Sequence, residues 1–396
     1  MIKTLIACTA DMDDSQTAVD EILQQLDLQT SLLANSVAII SCHHEFVISG
    51  IAQAVAVALP FDVAGLITCP LSTGEHKDTL LLTLMVLTSD QLNFATVLTD
   101  SLEEGDLPAA IGNPYNAAVS NFAAKNSNAK PALIFAFAPF IKMNSGDDYV
   151  NIISECSSGV PCFGSLAVDD SPTFENCFVI HNGEYYSDRM TLILVYGDIA
   201  PKFYIAHSLE KNVLDKSAVV TKSAGHLVTE LNGKPVLDFL EEAGLSSIAE
   251  NPWAMMTLPF VLDYNDGTPT VSKTIVTITS DGSAVCAGAV PEGSTLTFAP
   301  STKETVLEST SQVVEEIFAE ITANPSIAGM LIFSCVGRCL TLGADQYLEM
   351  DIVSSKLIHK VPYLMLYSGG EICPTLFSNK KVANRFHNHT FIACVF

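Results

Sequence analysis

Apolar residues in this chain come in short solid runs more often than in clean alternation. V-A-I-I-S-C ends at Ser41-Cys42, T-L-L-L-T-L-M-V-L leads to Leu87, L-I-F-A-F-A covers Leu133 to Ala138, and M-T-L-I-L-V-Y covers Met190 to Tyr196. M-L-I-F-S-C then ends at Ser334-Cys335. Runs of this length predict strands buried on both faces. Between them lie amphipathic stretches that predict helices over 13–34, 46–58, 147–156, 235–243, 304–322 and 343–358. The order strand, helix, strand, loop, strand occurs three times: at 36–87, at 131–200 and at 330–396. In the second unit, Phe174–Asn182 and Met190–Tyr196 read as the arms of a hairpin turning at Asn182-Gly183. A different region, 204–300, carries strand patterns near 256–263, 273–279 and 283–290.

The fold class expected is therefore mixed α/β. Two lobes of pseudo-repeated strand-helix-strand-strand units would pack as helix–sheet–sheet–helix layers. No Pro/Gly/Ser-rich linker marks a boundary, and the division falls near residue 230, giving an N-terminal 1–230 and a C-terminal 231–396.

Composition supports a large core: 396 residues, 48% hydrophobic and only 16% charged. Forty-four acidic against 19 basic residues give a net charge of −25, which repels nucleic acid and anionic membrane. No run of 18 uncharged apolar residues predicts a membrane span. Met1 to Ala10 is too short for a secretory signal. Eleven cysteines sit mostly inside apolar runs and include no Cys-x-x-Cys pair, the usage of free buried thiols in the cytoplasm.

The strand ends carry the candidate chemistry. Ser41-Cys42 is followed by Ser72-Thr-Gly-Glu75, and Ser334-Cys335 by Ser368-Gly-Gly-Glu371, at Cys-to-Glu separations of 33 and 36 residues. Arg338 is placed to clamp a carboxylate or phosphate. Glu371 could take an amine, and the pair would suit a zwitterion. The competing reading is an ion pair of Arg338 with Glu349 or Glu371 that braces the turn. His387 and Asn388 enter the final strand as ligand candidates, with alternation placing His387 and His389 on one face. Cys335 reads as a buried thiol beside the site, Ser368 as a ligand-binding candidate, and Gly369 and Gly370 as positions of close approach or of a φ > 0 turn. There is no G-x-S-x-G, P-loop, G-x-G-x-x-G after a strand or H-E-x-x-H, so no enzyme class is indicated.

F-S-C-V-G-R (Phe333 to Arg338), Glu349, Y-S-G-G-E-I (Tyr367 to Ile372) and H-N-H-T (His387 to Thr390) resemble the FIST C-terminal domain. V-P-C-F-G-S-L-A-V-D-D, H-N-G-E-Y-Y-S-D-R-M and V-T-K-S-A-G-H-L-V-T-E-L-N-G-K-P resemble the FIST N-terminal domain. At Gly164-Ser165 the family usually shows two glycines. The resemblance implies a stand-alone sensory protein of intracellular signalling that binds a small ligand such as an amino acid. The N-terminal unit begins almost at once, so no F-box or output domain is expected, and the signal would pass to a separate partner. A second implied reading is a haem-based nitric oxide sensor acting on a histidine kinase or a cyclic-dinucleotide enzyme. Its candidate residues are Cys69-Pro70, Cys373-Pro374, His43, His44, His226 and His387.

Overall fold

The computed structural model describes all residues except 127–129, 141–143, 172–173, 208–210, 212, 246–250 and 377–381. Its framework is one motif used three times. Each repeat contains a parallel pair joined through helical segments: Asn35–Cys42 with Val63–Ile67, Leu133–Ala138 with Cys162–Leu166, and Met330–Cys335 with Tyr363–Ser368. An antiparallel strand lies beside the first member of each pair: Leu82–Ser89, Thr191–Tyr196 and Phe391–Val395 respectively. An outer strand closes that side of each sheet: Ile2–Thr9, Asn93–Leu98 and Lys202–Ala206.

The other side of each sheet is completed by a different repeat. The hairpin that follows each second parallel strand leaves its own sheet. Leu71–Ser72 and Lys77–Asp78 of the first repeat pair onto Tyr363–Ser368 of the third. Val179–His181 and Glu184–Tyr186 of the second pair onto Val63–Ile67 of the first. Glu371–Leu376 and Val382–His387 of the third pair onto Cys162–Leu166 of the second. The exchange is cyclic, and each of the three six-stranded sheets is built from two repeats.

This arrangement explains the solid apolar runs. Leu133, Phe135 and Phe137 face a core shared by all three sheets, while Ile134, Ala136 and Ala138 face a second core under the helices Leu107–Lys125 and Gly146–Ser157. Leu331 and Phe333 likewise join the shared core, and Met330 and Ile332 pack beneath Lys303–Ala323 and Leu348–Leu357. Phe333 lies 5.7 Å from Phe163 and 6.5 Å from Phe137 between ring centroids, so aromatic rings from two repeats meet at the centre.

A fourth sheet interrupts the third repeat between its outer strand and its first helix. Ser217–Ala224, Thr295–Phe298, Pro259–Asp263, Val271–Ile278, Ala284–Cys286 and Leu227–Leu231 pair in that order. Ser217–Ala224 also pairs with Leu227–Leu231, which closes the ring into a small antiparallel barrel with its own core. Residue 230 lies inside one of its strands.

The expected layers and one expected hairpin are thereby corrected. Three sheets around one core replace a two-layer stack. The turn at Asn182-Gly183 joins Val179–His181 to Glu184–Tyr186, and Thr191–Tyr196 returns to a different sheet. The helix Leu107–Lys125 lay unread because Pro108, Gly112 and Pro114 interrupt its pattern. The Ser-x-Gly-Glu match is also offset. Cys42 pairs with Ile67 and Cys335 with Ser368, so Ile67 is the counterpart of Ser368, whereas Ser72 lies in the exchanged hairpin. The Ser-Cys match does correspond.

Because Phe333 touches rings of another repeat, Phe333→Ala should cost about 3–5 kcal/mol. Denaturant unfolding should show the three sheets melting in one transition, and a separate early transition of the third repeat would contradict a shared core.

Candidate functional site

The third repeat's strand ends hold two buried carboxylates with different partners. Glu349, on the helix Leu348–Leu357, accepts from Arg338 Nε at 3.1 Å and Nη2 at 2.8 Å on one oxygen. Its other oxygen accepts from Ser334 Oγ at 2.8 Å and Tyr367 Oη at 3.0 Å. Arg338 Nη2 also donates to Thr310 Oγ1 at 2.8 Å and to the Val306 carbonyl at 3.1 Å. Arg338 is 2% exposed and Glu349 is fully buried, so the bracing ion pair is the geometry observed. A pair this enclosed ties both parallel strands to the helix Lys303–Ala323.

Glu371 has no cation partner among the described residues. It accepts from Thr390 Oγ1 at 2.8 Å, from the Thr390 amide at 3.2 Å, and from Ser368 Oγ. Burial pushes its carboxyl up to about 7, against the pull of those hydrogen bonds. Burial also raises the neighbouring Cys335 thiol, and the Glu371 charge raises it further. Ser368 additionally donates to the Ser334 carbonyl at 3.2 Å. These side chains therefore form one inward-facing network.

His387 is fully buried, its ring 5.8 Å from that of His207, with no hydrogen-bond partner for either nitrogen among the described residues. Burial drives both rings toward the neutral form, His207 to about 4. His389 does not continue the alternation: its φ of +58° turns the chain, and its ring packs beside Gly337. Burial and then the Arg338 charge hold it down at about 3. Gly370 is required by its φ of +138° and by Phe386, whose ring would lie 2.3 Å from an added Cβ.

Above this network lies a small cavity of about 50 Å³ that opens to solvent at its mouth. Three parts of the chain enclose it. Cys335, Val336, Gly337, Gly369 and Asn388 come from the third repeat's strand ends. Phe140, Ala167, Val168 and Phe174 come from the second repeat. Met256, Thr274, Val276 and Ala287 form the barrel's contribution. The barrel is held there by Lys273, which donates to Asp147 at 2.7 Å and to the Phe386 carbonyl at 2.8 Å. Asn388 is 1% exposed, and its Oδ1 is a buried acceptor without a partner among the described residues.

Of the residues singled out by sequence, Cys335 and Asn388 line the cavity, with Gly369 beside Gly370. Ser368 and Glu371 lie in the network beneath it, Arg338 is committed to Glu349, and His387 is not on the wall. The barrel residues and the Phe140–Phe174 wall were missed. They lie far from the motifs in sequence, and nothing local marks an apolar side chain as lining a cavity.

A FIST N domain matches residues 36–234, and a FIST C domain matches residues 237–374. The chain belongs to the FIST family. FIST domains are sensory domains of signalling proteins. A search of curated proteins finds no match. Among solved structures, T. maritima PurL complexed with FGAR is 10% identical, with 100% of this chain and 72% of that chain covered and a TM-score of 0.21. PurLQS from Thermotoga maritima is also 10% identical at the same coverages, with a TM-score of 0.20. Likeness at that level carries no argument about this FIST protein. No helix among the described residues is long and apolar enough to cross a membrane.

A haem does not fit the cavity's donor set. Among the described residues no histidine lines it, and the thiol that does, Cys335, is raised by burial and by Glu371. Cys373 is fully buried within its strand.

Two outcomes follow from the network. Arg338→Ala should lower stability by about 3–5 kcal/mol, since it strands the Glu349 charge, while the double variant Arg338→Met/Glu349→Leu should recover much of that loss in denaturant titrations. Glu371 has a native proton affinity above its unfolded one, so the native state holds the extra proton. Its contribution to stability is complete below pH 4.5 and declines as pH rises toward about 7, by an amount on the order of 3 kcal/mol. Glu371→Gln should flatten the stability profile across that window, and an unchanged slope would place the titration elsewhere.

Proposed function

We propose that this FIST protein senses a small, mostly apolar molecule that occupies the cavity between the barrel and the strand ends. The carrying observation is Asn388, whose Oδ1 is a buried acceptor without a partner among the described residues, in a lining that Phe140, Phe174, Met256 and Val276 make mostly apolar. A few placed polar groups in an apolar concavity are the usual form of a small-molecule site. The position at the carboxyl ends of parallel strands agrees with where α/β sheets bind ligands.

Arg338 and Glu371 would not act as zwitterion anchors in this reading, because protein groups already occupy them. An amino acid would have to enter by its apolar part and offer a donor to Asn388. Binding would bias the barrel's seat on the repeats, and a separate kinase or cyclic-dinucleotide enzyme would read the change.

A melting-temperature screen of apolar metabolites and amino acids tests this. A ligand at 100 times its dissociation constant should add about 2.7 kcal/mol of stability. Asn388→Ala should weaken the response, and Val276→Trp, which fills the cavity, should remove it. A ligand whose stabilisation survives Val276→Trp, or a stoichiometric Soret band on haem addition, would overturn the reading.

A further inference from the structure

The first repeat's strand ends carry a cluster that the cavity does not use. His43 and His44 follow Cys42 where the third repeat has Val336 and Gly337 after Cys335. Asp170 reaches them from the segment that carries the second repeat's hairpin onto the first sheet. One ligand atom from each of the three residues lies within 4.8 Å of the others. His43 Nε2 is 3.3 Å from Asp170 Oδ2, and His44 Nδ1 is 3.7 Å from Asp170 Oδ1.

Despite those approaches, neither nitrogen makes a hydrogen bond among the described residues. An ordinary His–Asp pair aims an N–H at the carboxylate. Here the atoms converge without that alignment, and His43 is only 3% exposed. Ligand atoms held about 2.0–2.2 Å from one tetrahedral ion stand about 3.4 Å from each other, close to the His43–Asp170 spacing. The neighbouring Asp169 fixes the segment by accepting from Ser171 Oγ at 2.9 Å and from the Asn176 amide at 3.0 Å. Such outer hydrogen bonds orient metal ligands.

We propose that His43, His44 and Asp170 bind one divalent transition-metal ion of the zinc class. Its remaining positions face solvent beside Asp170, whose side chain is 52% exposed. Two imidazoles and one carboxylate suit zinc and its transition-metal neighbours better than magnesium or calcium. In the metal-free form His43 Nδ1 accepts the Glu45 amide N–H at 3.3 Å. An ion at Nε2 requires the tautomer with its proton on Nδ1 and gives up that long bond.

The test uses the full chain, stripped with chelator and kept reduced, titrated calorimetrically with Zn²⁺ in excess Mg²⁺. One ion per chain is expected. Asp170→Asn and His44→Ala should each weaken binding at least about tenfold while the metal-free melting temperature stays near that of the parent. These two residues are the less buried members, so the test does not depend on His43→Ala folding. The Co²⁺ form should show a nitrogen and oxygen ligand field without thiolate charge transfer. Absent uptake, unchanged affinity in both variants, or a thiolate band would overturn the proposal. Asn388→Ala should leave Zn²⁺ binding intact, which separates this site from the ligand cavity.

Discussion

The cyclic exchange of hairpins is the constraint on which the rest of this molecule depends. No repeat completes a sheet alone, because the hairpin after its second parallel strand belongs to a neighbour. The connecting segments must therefore cross at the strand ends. There the Leu166 amide donates to the Gly370 carbonyl, the Gly369 amide to the Leu166 carbonyl, and the Tyr367 amide to the Pro70 carbonyl. Glycine at 369 follows from that crossing, since an added Cβ would lie 2.7 Å from the Ala167 carbonyl oxygen. Backbone from different repeats is thus brought together where α/β proteins place their chemistry.

The repeats were legible because a strand buried on both faces must be apolar at every position, and helices between strands must be amphipathic. The partner of each hairpin was not. Leu71-Ser72 pairs with residues nearly three hundred positions away, and no local pattern encodes that distance. The same blindness explains the misread Ser-x-Gly-Glu repeat. Two similar tetrapeptides were found, but one begins at the end of a parallel strand and the other at the end of the first arm of an exchanged hairpin. The barrel was seen as a different region, and its closure was hidden because Ser217–Ala224 must pair on both edges.

At the site, sequence separated the right neighbourhood from the wrong atoms. Cys335 and Asn388 do line the cavity. Arg338 and Glu371 drew notice because charges at strand ends are chemically suggestive, yet an ion buried to 2% exposure needs a protein partner more than it needs a ligand. Glu349 satisfies Arg338, and Ser368 with Thr390 satisfies Glu371. The charged groups hold the strand ends in place, and the wall above them is left apolar. Asn388 stands apart because its acceptor has no such partner.

Equivalent positions of the three repeats have diverged in a way the shared backbone permits. After Cys42 the chain places His43 and His44, after Ala138 it places Pro139 and Phe140, and after Cys335 it places Val336 and Gly337. In the third repeat the space is tight, because a Cβ at 337 would stand 3.0 Å from both the Met256 carbonyl and the His389 ring. Part of that crowding comes from the barrel side, which supplies the Met256 carbonyl over this strand end. The first repeat has no barrel above it, so its equivalent positions can carry two imidazoles. One backbone geometry therefore supports a roofed apolar cavity in one repeat and a polar, solvent-reaching cluster in another, and the inserted barrel is the element that divides the two.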